Sequence, residues 1–140
     1  MTRKESREKM MQILYELDAS KTIEKDKTDN LADTRAKAAA LASERLSGGH
    51  IKRGTDLICS ILDNLKDIDS SINEFSAKWK TSRMPKVDLA IMRLAIGEIR
   101  FSEDIPEPVS VNEAINLAKK FSTDNSARFI HGILGAVTGK

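Results

Sequence analysis

The chain has 140 residues, 40% hydrophobic and 31% charged, which gives one domain enough apolar side chains for a core while leaving no apolar run near the roughly 18 residues a membrane span takes. Cys59 is the only cysteine, so an internal disulfide is excluded, and the start Met1-Thr2-Arg3-Lys4-Glu5 has no apolar stretch of signal-peptide type behind it; both features point to the cytoplasm. With 23 Lys and Arg against 21 Asp and Glu the net charge is only +2, so any basic surface must be local.

Helical spacing recurs along the whole chain, and no stretch shows sustained two-residue alternation, so the expectation is an all-α fold of about seven helices. The first helix spans about Thr2 to Asp18. Thr2 and Glu5 have the spacing of a capping box, and Met10, Ile13, Leu14 and Leu17 form its buried stripe. The polar segment Ser20 to Asn30 reads as a loop. An alanine-rich second helix follows from about Leu31 to Leu46, stopped by Gly48-Gly49. The third covers about Ile51 to Lys66, with Leu57, Ile58, Ile61, Leu62 and Leu65 inward. A fourth is expected to start near Ser71, capped with Glu74, and to carry Phe75 and Trp79.

Pro85 opens the fifth helix, which is apolar nearly all round through Val87, Leu89, Ala90, Ile91, Met92, Leu94, Ala95, Ile96 and Ile99; such a helix belongs at the centre of a bundle. Ile105-Pro106-Glu107-Pro108 is expected to be extended. The sixth helix then begins at Ser110 with a capping box to Glu113 and turns Val111, Ala114, Ile115, Ala118 and Phe121 inward; Ser122 to Asn125 break it. The seventh carries Phe129, Ile130, Ile133, Leu134 and Val137. One domain over 1–140 is expected, in two small packed sub-bundles, about 1–79 and about 80–140.

The residues offer little for catalysis. Phosphate-cradling glycine loops of the common types are missing, and Gly48-Gly49 stands alone. His50 and His131 lie far apart with no cysteine or carboxylate at metal-ligand spacing. Cys59, between Ile58 and Ile61, reads as a small buried hydrophobe. The carboxylates have the spacing of helix surfaces, and no nucleophile has a base beside it. The expectation is a protein that is not an enzyme and needs no cofactor or metal.

Binding is the better class. Arg3, Lys4 and Arg7 share one face of the first turn, where free amides and the helix dipole favour phosphate. A solvated charged helix start explains the same residues, and Glu5 and Glu8 dilute the charge. The seventh helix starts with Asp124-Asn125-Ser126-Ala127-Arg128-Phe129, a mixture of hydrogen-bonding groups, a guanidinium and an aromatic ring of the kind that holds single-stranded RNA; a capped helix with Phe129 in the core fits the same spacing. Tyr15 sits among core residues with a hydroxyl that suits an interface edge.

Three stretches, taken in order, resemble the NusB family. The run from Thr2 to Asp18 is similar to an arginine-rich first helix leading into Gln-x-Leu-Tyr. The run from Arg83 to Ile99 is similar to Pro-x-Val-Asp-x-Ala-Ile-Leu-Arg-Leu-Ala. The most specific stretch, Pro108 to Leu134, resembles Ile-Asn-Glu-Ala, then Leu-Ala-Lys-x-Phe, then Ser-x-x-Phe-x-Asn-Gly-x-Leu. Residues 19–78 match only in helical pattern. The resemblance implies an all-α fold of two sub-bundles and a factor of transcription antitermination. It would bind single-stranded boxA RNA of ribosomal RNA operons together with the ribosomal protein NusE, and through them act on the RNA polymerase elongation complex.

Carried over by position, the resemblance implies that Arg3, Lys4 and Arg7, and also Ser126, Arg128 and Phe129, face RNA, and that Tyr15 and Asp88 look toward the protein partner. Asn112 and Glu113 match the family's Asn-Glu pair. Glu5 stands where the family is often basic, and His131 replaces the usual Asn before Gly132. Two alternatives remain open. One is a helical RNA-binding domain of the kind fused to RNA cytosine methyltransferases, which requires a methyltransferase after Lys140. The other is a helical protein–protein adaptor that binds no nucleic acid.

Overall fold

The computed structural model describes residues 1–23, 27–77 and 79–139, with side chains described throughout except at 27–30. Seven α-helices account for most of the described residues: α1 (Arg3–Ala19), α2 (Lys27–Arg45), α3 (Gly49–Asp63), α4 (Leu65–Phe75), α5 (Lys86–Phe101), α6 (Glu107–Phe121) and α7 (Asp124–Gly139). One short 3₁₀ turn, Thr81–Arg83, precedes α5, and no strand occurs among the described residues.

The sequence of α5 dictates its place. Every residue from Asp88 to Glu98 is buried, and α5 packs against α1, α3, α4, α6 and α7. Its apolar positions meet Met10, Ile13, Leu14 and Leu17 of α1, Leu57, Ile58, Ile61 and Leu62 of α3, and Ile130, Ile133 and Leu134 of α7 in one connected core. At Gly97 a Cβ would lie 2.4 Å from Cγ1 of Ile61, so glycine there lets α3 and α5 cross tightly. Gly48, at φ +59°, turns the chain from α2 into α3.

Three polar residues interrupt the apolar surface of α5 at intervals of five. At 3.6 residues per turn each step rotates direction by about 140°, so Asp88, Arg93 and Glu98 point at three different neighbours. Arg93 forms a two-pronged ion pair with Asp69 of α4, with Nε 2.9 Å from Oδ1 and Nη2 2.7 Å from Oδ2, and its Nη1 stands 3.6 Å from Asp18 of α1. Glu98 accepts from Arg7 Nε at 2.7 Å and from the Ser110 hydroxyl at 2.7 Å, joining α1 and α6. Asp88 accepts from the hydroxyls of Ser122 at 2.8 Å and Ser126 at 2.7 Å, joining α5 to the α6–α7 corner. Buried polar groups cost free energy unless each finds a partner of fixed position, so these bonds set how the helices are seated.

Several boundaries differ from those the sequence suggests. The helix α2 begins at Lys27, so the expected loop to Asn30 is shorter; residues 24–26 of that loop lie outside the described residues. The fourth helix begins at Leu65, not near Ser71. Asn64 alone separates it from α3, and its Nδ2 donates to Ser60 O at 2.8 Å. Ser71 is no cap: its hydroxyl donates back to Asp67 O inside the helix. Trp79 lies beyond the end of α4. The sixth helix starts at Glu107, because a proline such as Pro108 is tolerated in a first turn, where its missing N–H is not needed. Ser110 and Glu113 therefore do not form a capping box; Ser110 serves Glu98, and Glu113 faces Lys4.

Candidate nucleic-acid interface

The first turn of α1 is built as its sequence predicts. The amide of Glu5 donates to Thr2 Oγ1 at 3.0 Å and the amide of Thr2 donates to Glu5 Oε1 at 2.7 Å, a complete capping box. The hydrogen bond from the Thr2 amide holds the Glu5 carboxyl below its ordinary range, so Glu5 is a fixed negative charge among the cations of this turn. Arg3 and Lys4 are exposed. Neither is bare: Arg3 Nη2 lies 3.6 Å from Asp104 in the turn after α5, and Lys4 Nζ lies 3.4 Å from Glu113 of α6.

Arg7 differs from the two cations with which the sequence groups it. One turn further along the same face, α5 and α6 cover the helix; Arg7 is 7% exposed and donates to Glu98. Its guanidinium is a structural cation beneath the surface turn, not a third exposed charge beside Arg3 and Lys4.

The second cluster gathers at the start of α7. Thr123 Oγ1 accepts from the Ser126 amide at 2.9 Å, so Thr123 provides the cap and one first-turn amide is already satisfied. The Ser126 side chain is turned inward onto Asp88. Arg128 is exposed, with its guanidinium donating to Asn125 Oδ1. Phe129 is half-buried against the core and meets Trp79 edge to face, with ring centroids 5.7 Å apart. His131 is exposed one position before Gly132.

The two residues assigned to a protein partner sit in opposite environments. Tyr15 is 37% exposed and, by helical spacing, lies on the α1 face that carries Lys4 and Glu8. Asp88 is wholly enclosed, so its carboxylate has no surface to offer a partner; it acts on the surface through Ser122 and Ser126. The sequence missed this arrangement, although a carboxylate inside a helix apolar nearly all round was the available signal.

The helix α6 connects the two clusters. Its Glu113 faces Lys4, its Lys120 donates to Glu8 at 2.7 Å, and its last turn leads through Ser122 into the start of α7. Lys119 and Lys120 are exposed on the way, and Asn112 is exposed near the other end. From Glu113, opposite Lys4, to Ser122 at the α7 corner the chain advances nine residues, about 13 Å at 1.5 Å per residue, the reach of a few nucleotides. Elsewhere, burial pushes the Cys59 thiol up, as an inert core cysteine requires. No helix among the described residues is long and apolar enough to cross a membrane.

The NusB family model matches residues 4–139. Among curated relatives, the transcription antitermination protein NusB of Clostridium novyi is 39% identical over 135 residues, covering 96% of each chain. That of Natranaerobius thermophilus is 39% identical over 140 residues, covering 100% of this chain and 96% of its own. That of Desulforamulus reducens is 41% identical over 137 residues, covering 96% and 88%. The solved structure of T. maritima NusB superposes with a TM-score of 0.83 at 27% identity, covering 100% of this chain and 92% of that one.

Proposed function

The chain belongs to the NusB family, and from that premise we propose that it is a transcription antitermination factor that binds single-stranded boxA-like RNA together with NusE and acts on the RNA polymerase elongation complex through that assembly. It works in the cytoplasm as a scaffold, not a catalyst, and its single domain divides into sub-bundles of about 1–79 and 80–140.

The observation that supports this reading best is the pairing of two unlike clusters along one helix. The α1 start offers exposed cations that attract backbone phosphate. The α7 start offers an exposed guanidinium, a half-buried ring and small polar side chains, which suit unpaired bases. In this reading Arg3, Lys4 and Arg128 touch RNA directly and Phe129 stacks at its exposed edge. Arg7 and Ser126 belong to the same site as supports, held by Glu98 and Asp88. Tyr15 marks the side on which the protein partner docks, and Asp88 contributes to that surface only through the serines it holds. Each ligand then raises the affinity of the other by linkage.

Fluorescence anisotropy of a labelled boxA-like RNA, with and without NusE and against a scrambled RNA, tests the proposal. Preferential binding of boxA, sharpened by NusE, is expected. Equal, weak binding of both RNAs under both conditions would leave a helical protein–protein adaptor.

A further inference from the structure

A concavity of about 450 Å³ opens beside the α1 start, between α1, α3 and the turn after α5. At its mouth two guanidiniums converge on a single carboxylate oxygen. Arg53 Nη2 of α3 lies 3.0 Å from Oδ2 of Asp104, and Arg3 Nη2 lies 3.6 Å from the same atom. All three side chains are about half exposed. Deeper in, the Arg7–Glu98 pair is closed on itself, and on the exposed rim Asp56 is engaged by Lys52 at 2.9 Å. His50 Nε2 is 3.0 Å from Met1 O, and Glu103 is the fourth carboxylate of the lining, after Asp104, Glu98 and Asp56. Arg3 and Arg53 therefore form a fork that already holds one oxyanion, supplied by the protein itself.

A phosphodiester presents the same kind of oxygen with the same charge, and arginine binds carboxylate and phosphate by the same geometry. Arg53 belongs to none of the stretches that carry the family resemblance. We infer that Arg53 is an additional RNA-contacting residue, that Arg3 and Arg53 clamp one backbone phosphate at the mouth of this concavity, and that Asp104 is the internal counter-ion which that phosphate displaces. The inference rests on the RNA-binding reading above and extends it from α1 onto α3. Asp104 serves as a filter: a ligand gains the fork only by offering a better-placed anion than the one in residence. The Arg53 guanidinium holds the Asp104 carboxyl below its ordinary range, so the counter-ion is fully charged at neutral pH.

The test is a boxA-like RNA titration of the full chain over a series of KCl concentrations, for the unaltered protein, Arg3→Ala, Arg53→Gln, Asp104→Asn and the Arg53→Gln/Asp104→Asn double variant, each checked by circular dichroism. Arg53→Gln is expected to weaken binding and to reduce the salt slope by about 0.7, the share of one phosphate contact on a single strand. Asp104→Asn is expected to tighten binding about two- to fivefold, the scale of one exposed ion pair, and to lose that gain when Arg53 is also replaced. Normal binding with Arg53→Gln unchanged while Arg3→Ala weakens would overturn the inference alone, as would weaker binding by Asp104→Asn. Failure of the unaltered protein to bind boxA at all would overturn the RNA reading and the inference with it.

Discussion

Glu98 and Asp88 lie near opposite ends of α5, both buried, and the protein compensates them differently. Glu98 faces a cation, Arg7, and one hydroxyl, from Ser110. Asp88 faces two neutral hydroxyls, from Ser122 and Ser126, and sits in the first turn of α5, where the helix dipole favours a negative charge. The α1 end of the molecule is thus locked by a full ion pair, and the α7 start by two hydroxyl hydrogen bonds to a buried carboxylate. The difference matches the two proposed tasks: cations seated for phosphate at α1, and small neutral polar side chains seated beside bases at α7.

The largest predicted effect breaks the first lock. Glu98→Ala leaves Arg7 buried without its counter-charge, and a loss of about 3–5 kcal/mol in urea unfolding is expected. Gly97→Ala, one position earlier, forces a methyl into Ile61 and is expected to cost about 1–3 kcal/mol in the same assay, with no change in the salt dependence of RNA binding. Asp88→Ala removes the acceptor of both serines and is expected to cost about 1–3 kcal/mol. Its sharper signature is faster hydrogen exchange in the first turn of α7 and a reduced preference for boxA over scrambled RNA at an unchanged salt slope. The Arg3→Ala/Lys4→Ala double variant should do the reverse, lowering the salt slope by about 1.4 while boxA remains preferred. The smallest effect is expected at Glu5→Gln. The amide oxygen of glutamine keeps the capping box, so thermal stability should hold while RNA binding tightens slightly, read by anisotropy at low salt.

Much of this fold was legible from spacing alone. The buried stripe of α1, the inward face of α3 and the all-round apolar surface of α5 follow directly from where Leu, Ile, Met and Ala recur. The Thr2–Glu5 capping box was legible too, since both partners are local. The same motif misled at Ser71–Glu74 and Ser110–Glu113, because a serine three residues before a glutamate says nothing about whether the turn before it is also helical. The candidate site was less legible for a related reason. Its organising contacts, Arg7 to Glu98, Ser126 to Asp88 and Arg53 to Asp104, join residues far apart in the chain, and side-chain type alone does not say which cation of a basic turn is covered by another helix.

In the proposed assembly RNA lies along α6 between the α1 and α7 starts. The most direct measurement is an amide-shift map of the isotope-labelled protein titrated with boxA-like RNA. Perturbations concentrated in residues 2–9 and 123–131 are expected, with smaller changes on the exposed positions of α6 between them. Perturbations confined to α2 and α4, with both of those segments unmoved, would contradict it.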